Sequence, residues 1–195
     1  MQSPYSNRDR SEWKEITENL VQAHPLKKQD IIDSVFSAWH GIFATKLAGK
    51  LRIGLDIHLK PQEVGGFLHA LIPYELEQRF PSEWRRDKSG NEKDIVCVTD
   101  NKFSIEIKTS SNKNRIYANR SYAQGVTSGK KTKSGYYLAI NFENSVENHQ
   151  IRLIRFGWID AQDWQGQISQ NGQQAHLEAE VERLKLKTIY KSGNN

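Results

Sequence analysis

"EKDIVCVTDNKFSIEIKTSS", residues 92–111, alternates apolar and polar positions over two runs, 94–99 and 103–109. Neighbouring side chains of a strand point to opposite faces. In the second run Phe103, Ile105 and Ile107 therefore take one face, and Ser104, Glu106 and Lys108 the other. The loop decides which face receives Asp94. A two-residue turn would separate Asp94 from Glu106. A three-residue loop, Asp100-Asn101-Lys102, makes paired residue numbers sum to 202, which sets Val96 opposite Glu106 and Asp94 opposite Lys108. The odd-length loop is expected, because it gathers Ile95, Cys97, Phe103, Ile105 and Ile107 on one buried face, and a one-residue slip would scatter that set.

Two carboxylates and a lysine then share the other face. On spacing alone this reads equally as a cross-strand surface pair, worth about 0.2–1 kcal/mol. The second carboxylate changes the chemistry. Adjacent carboxylates repel, and a divalent cation between them relieves the repulsion, with hard oxygen ligands favouring Mg2+. A lysine beside them supplies positive charge where a phosphodiester transition state gains negative charge.

The rest of the chain fits such a substrate. Residues 107–142 contain no acidic residue but hold Lys108, Lys113, Arg115, Arg120, Lys130, Lys131 and Lys133, more positive charge than the net +5 of the whole protein. Such a run is either a solvated face or a phosphate-binding surface. Ser110, Ser111, Lys113, Arg115, Asn119, Arg120, Ser121 and Tyr122 offer hydroxyl, amide and cationic groups of the kind that contact phosphates and base edges. Lys130, Lys131 and Lys133, in "TSGKKTKSG", read as an arm over the DNA backbone or as a plain loop. Asn119 as a helix cap and Tyr122 as a core residue is the alternative for that stretch.

At 195 residues, one domain with one core is expected. A lone cysteine, Cys97, excludes a disulfide framework and points to a reducing cytoplasm. The polar start, "MQSPYSNRDRSEWKE", lacks an apolar signal core, and no stretch approaches the ~20 apolar residues of a membrane span. Apolar spacing predicts helices over residues 9–22 and 28–50, a helix or helix pair over 61–80 interrupted at Pro73, and a closing helix over 173–186 with Ala175, Leu177, Val181 and Leu184 inward. Strands are expected at 94–99, 103–109, 135–143 and 150–159, with a short helix in "NRSYAQGV". The five tryptophans are expected in the core or an interface, Asp160 and Asp163 in turns, and His58 and His69 as packing or capping residues.

Asp94, followed after eleven residues by Glu106-Ile107-Lys108, resembles the PD-(D/E)XK nuclease signature. Lys93 stands where that signature has proline, which supplies no ligand. A longer resemblance, through "DIHLKPQEVGGFLHALIP", "EKDIVC", "SIEIKTSS", "IYANRSYAQ", "SGYYLAINFE" and "IRFGWIDAQDW", is to type II restriction endonucleases of the ScaI-type family. It implies an α/β (α+β) fold: a restriction-endonuclease-like αβββαβ core with a central mixed sheet flanked by helices and extra N-terminal helices. One nuclease domain would cover residues 1–195, with 1–55 a helical part and 56–190 the catalytic core. The same resemblance makes Asp94 and Glu106 metal ligands, the Ile107 carbonyl a further one, and Lys108 the catalytic lysine. Glu63, or failing that Glu75, or neither if both are plain exposed helix carboxylates, would join the site from the preceding helix. It further implies a homodimer cutting double-stranded DNA at a short palindrome with Mg2+, beside a protective methyltransferase in the same cell. A repair or junction-resolving nuclease on the same core, and a non-catalytic basic DNA-binding protein, are the competing functions.

Overall fold

A computed structural model describes residues 2–124, 132–168 and 172–193. After a single 3-10 turn capped by Asp9, the helices α1 (Trp13–Ala23) and α2 (Lys28–Ala44) lead into a small hairpin, β1 (Lys46–Leu47) and β2 (Leu51–Arg52). Helix α3 (Pro61–Arg79) follows, then β3 (Trp84–Arg86), β4 (Ile95–Cys97), β5 (Ile105–Ser110) and β6 (Tyr117–Asn119). The chain continues through β7 (Gly135–Asn144), β8 (His149–Ile159), β9 (Trp164–Gly166), β10 (Gln174–Leu177), α4 (Ala179–Lys185) and β11 (Leu186–Lys191). No helix among the described residues is long and apolar enough to cross a membrane.

Six strands form the central mixed sheet in the order β11-β8-β7-β5-β4-β3. Only β5 and β7 run parallel; every other pair is antiparallel. Period-2 alternation gives this sheet two different faces. Ile105, Ile107, Tyr136, Leu138 and Ile140 turn toward α2 and α3, whose Ile31, Val35, Trp39, Val64, Leu68 and Ile72 complete the larger core. Tyr137 and Ala139 turn the other way, under Ile116, Ala118, Trp164, Ala175, Leu177 and Val181. A second sheet, ordered β6-β10-β9, supplies most of that cover. Four of the five tryptophans, Trp39, Trp84, Trp158 and Trp164, are buried.

Several expectations need correction. The hairpin pairs Ile95 with Ile105, so its numbers sum to 200 rather than 202. The connection is longer than three residues: Asp100 caps a 3-10 turn over Asn101–Phe103, and the Ser104 hydroxyl accepts the Cys97 N–H in place of a strand partner. Parity survives, so the faces stand, but this register sets Asp94 opposite Glu106 instead of Lys108. Helix α3 runs through Pro73, which removes only the bond that would reach the His69 carbonyl. The closing helix shrinks to α4, since Ala175 and Leu177 are alternate residues of β10 paired to β6 and β9. Edge strand β11 went unread because a bulge at Thr188 and Tyr190 breaks its alternation. The short helix expected in "NRSYAQGV", between the second and third expected strands, is the end of β6 plus a four-residue 3-10 turn, Arg120–Ala123.

His24 ties α1 to the sheet. It is buried, edge-on to Tyr136 (4.5 Å) and Phe156 (4.9 Å), with Nε2 donating to the Phe103 carbonyl and Nδ1 accepting the Leu26 N–H. Burial lowers its pKa from 6.5 to about 4. The folded state therefore holds it neutral while the unfolded chain protonates. Its contribution is complete above pH 6.5 and fades as pH falls toward 4, by roughly 3 kcal/mol across that window. Urea unfolding at pH 7 and pH 4.5 should show a steeper loss for the wild type than for His24→Gln; parallel losses would refute the assignment.

Candidate active site

The hairpin brings Asp94, Glu106 and Lys108 together: Glu106 and Lys108 lie on the sheet face away from α2 and α3, and Asp94 stands beside them where α3 still reaches it. Glu106 pairs with Tyr137 and Lys108 with Ala139 across the parallel β5–β7 ladder, and Tyr137 and Ala139 belong to the second core. The carboxylate of Glu106 is only 3% exposed as a residue. Its Oε1 accepts from Lys108 Nζ at 2.9 Å and from the Tyr122 hydroxyl at 2.5 Å, while Lys108 also donates to the Tyr122 oxygen at 3.0 Å. Burial first, and the Glu106 charge second, hold the Tyr122 phenol above its usual pKa, so it stays a proton donor.

Asp94 is fixed differently. Its Oδ2 accepts the backbone N–H of Ile107 at 2.6 Å, a charge-assisted bond that ties β4 to β5 beyond their one paired residue. Its Oδ1 faces His69 Nδ1 at 3.5 Å. His69 reaches it from α3 because Gly65, one turn earlier, lets that helix lie against β5: a Cβ there would stand 2.7 Å from Thr109 Oγ1. Of the two adjacent glycines only Gly65 makes this close approach; Gly66 faces open space.

The helix carboxylates lie elsewhere. Glu63 completes a capping box, accepting the Lys60 N–H at 2.6 Å, and Glu75 accepts from Ser37 of α2 at 2.8 Å. Neither is engaged with Asp94 or Glu106, because both point off the helix face that carries Gly65 and His69. His69, read from sequence as a packing or capping residue, takes that place. Its signal was the i, i+4 spacing from Gly65.

A groove of about 570 Å3 opens beside this centre, lined by Gln62, Gly65 and His69 from α3, by Thr109, Ser110, Ser111 and Asn112, and by Asn119 and Gln174 of the second sheet. Neither this groove nor a larger cleft of about 690 Å3, with Lys113, Arg152 and Lys191, is lined by the three charged residues, but the groove adjoins them through His69 and Thr109. Other expected DNA contacts scatter. Arg115 turns inward, its Nε on Glu182 at 2.8 Å and its Nη2 on the Leu177 carbonyl. Arg120 Nη1 donates to the Gly172 carbonyl. Lys133 donates to the Ser121 and Gln124 carbonyls, and Ser121 is exposed. Lys130 and Lys131 lie outside the described residues. Asp160 and Asp163 do frame a 3-10 turn, and both also bind the buried Lys185 ammonium.

The family model described as ScaI restriction endonuclease matches residues 3–190. The chain belongs to that family. The type II restriction enzyme ScaI of Streptomyces caespitosus is 43% identical over 196 residues, which cover 98% of this chain and 86% of that protein. No solved structure gives a significant match. Membership of the ScaI family spans both layers of the fold, including the second sheet that carries Asn119 and Gln174.

Proposed function

We propose that this protein is a Mg2+-dependent type II restriction endonuclease, a homodimer that hydrolyses phosphodiester bonds of double-stranded DNA at a short palindromic site. One observation carries the reading: Asp94, Glu106 and Lys108 come together from two adjacent strands, beside a polar groove that His69 and Thr109 line. A bare DNA-binding protein has no use for two carboxylates gathered around a lysine that one of them already holds. The competing repair or junction nuclease would use the same centre, but family membership supports site-specific cutting.

The donors suit Mg2+. Among the described residues no three His, Cys, Asp or Glu side chains gather into a metal cluster. What remains is an all-oxygen set, the Asp94 and Glu106 carboxylates and the Ile107 carbonyl. Mg2+ is characteristically held by one or two carboxylates, completed by water and substrate phosphate. When bound, the ion supplies Lewis-acid polarisation and neutralises phosphate charge. The protein supplies the rest. Lys108 holds a fixed ammonium where the scissile phosphate gains charge. Tyr122 donates to Glu106 and braces Lys108, and the Ile107 N–H locks the rotation of Asp94. Cutting both strands of a palindrome requires two such centres, hence a two-fold dimer. A protective methyltransferase in the same cytoplasm completes the system.

His69 acts through Asp94 as a positioning residue. His69→Ala should weaken divalent-ion affinity, measured by Mn2+ titration without DNA, and slow cleavage, each by about 10- to 100-fold. Unchanged ion affinity would remove His69 from the site. For the function as a whole, plasmid DNA incubated with the protein and Mg2+ should give discrete fragments whose sequenced ends share one short motif. A smear, or preference for branched or nicked DNA, would favour the repair reading, and intact DNA would refute both.

A further inference from the structure

Among the described residues that line the groove beside the catalytic centre there is no Asp, Glu, Lys or Arg. Backbone phosphates are usually met by cations, so a polar wall without them is suited to another part of DNA. Its polar groups are amides and hydroxyls. Two of the amides are placed together by the fold: Asn119 of β6 and Gln174 of β10 are direct cross-strand partners, so both side chains leave the same face, with Cβ atoms about 5 Å apart. Gln62 enters the same groove from the first turn of α3. None of these three side chains hydrogen-bonds to another described residue, and all three are exposed. Asn112, on the same wall, is different: its Oδ1 is spent on the N–H groups of Asn114 and Arg115.

The pair is also held rigidly. Ala118 and Ala175, the adjoining residues of the ladder, are packed in the second core. Arg120 clips the start of β10 through its backbone to Gln173 and its guanidinium to Gly172. Preorganised, uncommitted amides in a groove that His69 shares have the chemistry of base-edge readers.

We propose that Asn119 and Gln174, supported by Gln62, are specificity-determining residues that read base edges of the DNA site, with adenine the base they fit. A primary amide accepts from adenine N6 and donates to N7 at once, a pairing that no other base edge completes in the same way. The proposal rests on the restriction-endonuclease reading above and adds to it the residues that choose the site.

The test begins with the wild-type protein, whose cut ends define its site. Substrates carrying each single base-pair change in that site then give the ratio of kcat/KM for the intact site over each altered one. Asn119→Ala and Gln174→Ala should lower that ratio by about 10- to 100-fold at one or two A·T positions and leave the others unchanged. Gln174→Glu, of the same size but acceptor-only, should shift preference toward cytosine at its position, and it carries the test should an alanine variant fail to fold. An equal loss at every position, with a shallower salt dependence, would make these residues backbone contacts and overturn the proposal. Unchanged ratios would overturn it too, with the nuclease reading intact. A wild-type protein that leaves no defined ends would remove both.

Discussion

Glu106→Gln is expected to lower DNA cleavage by about 10³-fold or more while leaving DNA binding within a few fold. The substitution preserves shape, and an amide oxygen can still accept from Tyr122 and Lys108. What it removes is the charge. Glu106 is almost wholly buried, so that charge acts at close range on Lys108 and on any cation placed between it and Asp94. The prediction gains force from a second variant. Lys108→Met should lose turnover to a similar degree yet keep divalent-ion affinity, because lysine donates no lone pair. Glu106→Gln should lose both. Single-turnover cleavage, with ion titration followed separately, distinguishes the pair. If Glu106→Gln cuts within tenfold of wild type, the catalytic centre lies elsewhere on this protein.

The part of this centre that could be read from sequence is the part that depends on period two. Glu106 and Lys108 oppose Ile105 and Ile107 whatever the strand pairs with, and an odd connection was enough to put Asp94 on their face. The exact register was not legible, because it depends on Asp100 capping a turn and on the Ser104 hydroxyl replacing a backbone partner. The contacts of His69 and Tyr122 with the carboxylates were not legible for another reason. His69 reaches Asp94 only once Gly65 brings α3 down on β5, and Tyr122 reaches Glu106 only because β6 turns back over the sheet. The second sheet joins Ala118 to Ala175 across more than fifty residues of chain, a pairing that no local pattern announces. Long-range capture also changed the reading of the basic run. Its charges suggested a solvated face or a phosphate-binding surface, but Arg115 is drawn inward by a buried carboxylate.

Glu182 is that carboxylate for Arg115. It is 2% exposed, and its two oxygens bind Arg115 Nε at 2.8 Å and Arg155 Nη1 at 2.9 Å. Arg155 Nη2 continues to Asn141 Oδ1 at 3.0 Å, and the Asn141 amide donates to the Asn112 and Arg115 carbonyls, each at 2.9 Å. This chain of bonds links α4, β8 and β7 to the loop that follows β5, the loop whose Ser111 and Asn112 line the groove. Glu182→Ala strands the Arg155 guanidinium without its counter-charge, and should cost about 3–5 kcal/mol. For a chain of this length that is a fall in Tm of roughly 10 °C. Removing both ends of the buried pair, Glu182→Leu with Arg155→Met, should recover much of the loss, since an apolar replacement no longer buries an unpaired charge. Arg115 separates structure from binding. If it serves the fold, Arg115→Met lowers Tm and weakens DNA binding only as far as the groove loop loosens, with no change in the salt dependence of binding. A salt slope reduced by about one with Tm unchanged would instead place Arg115 on the DNA backbone.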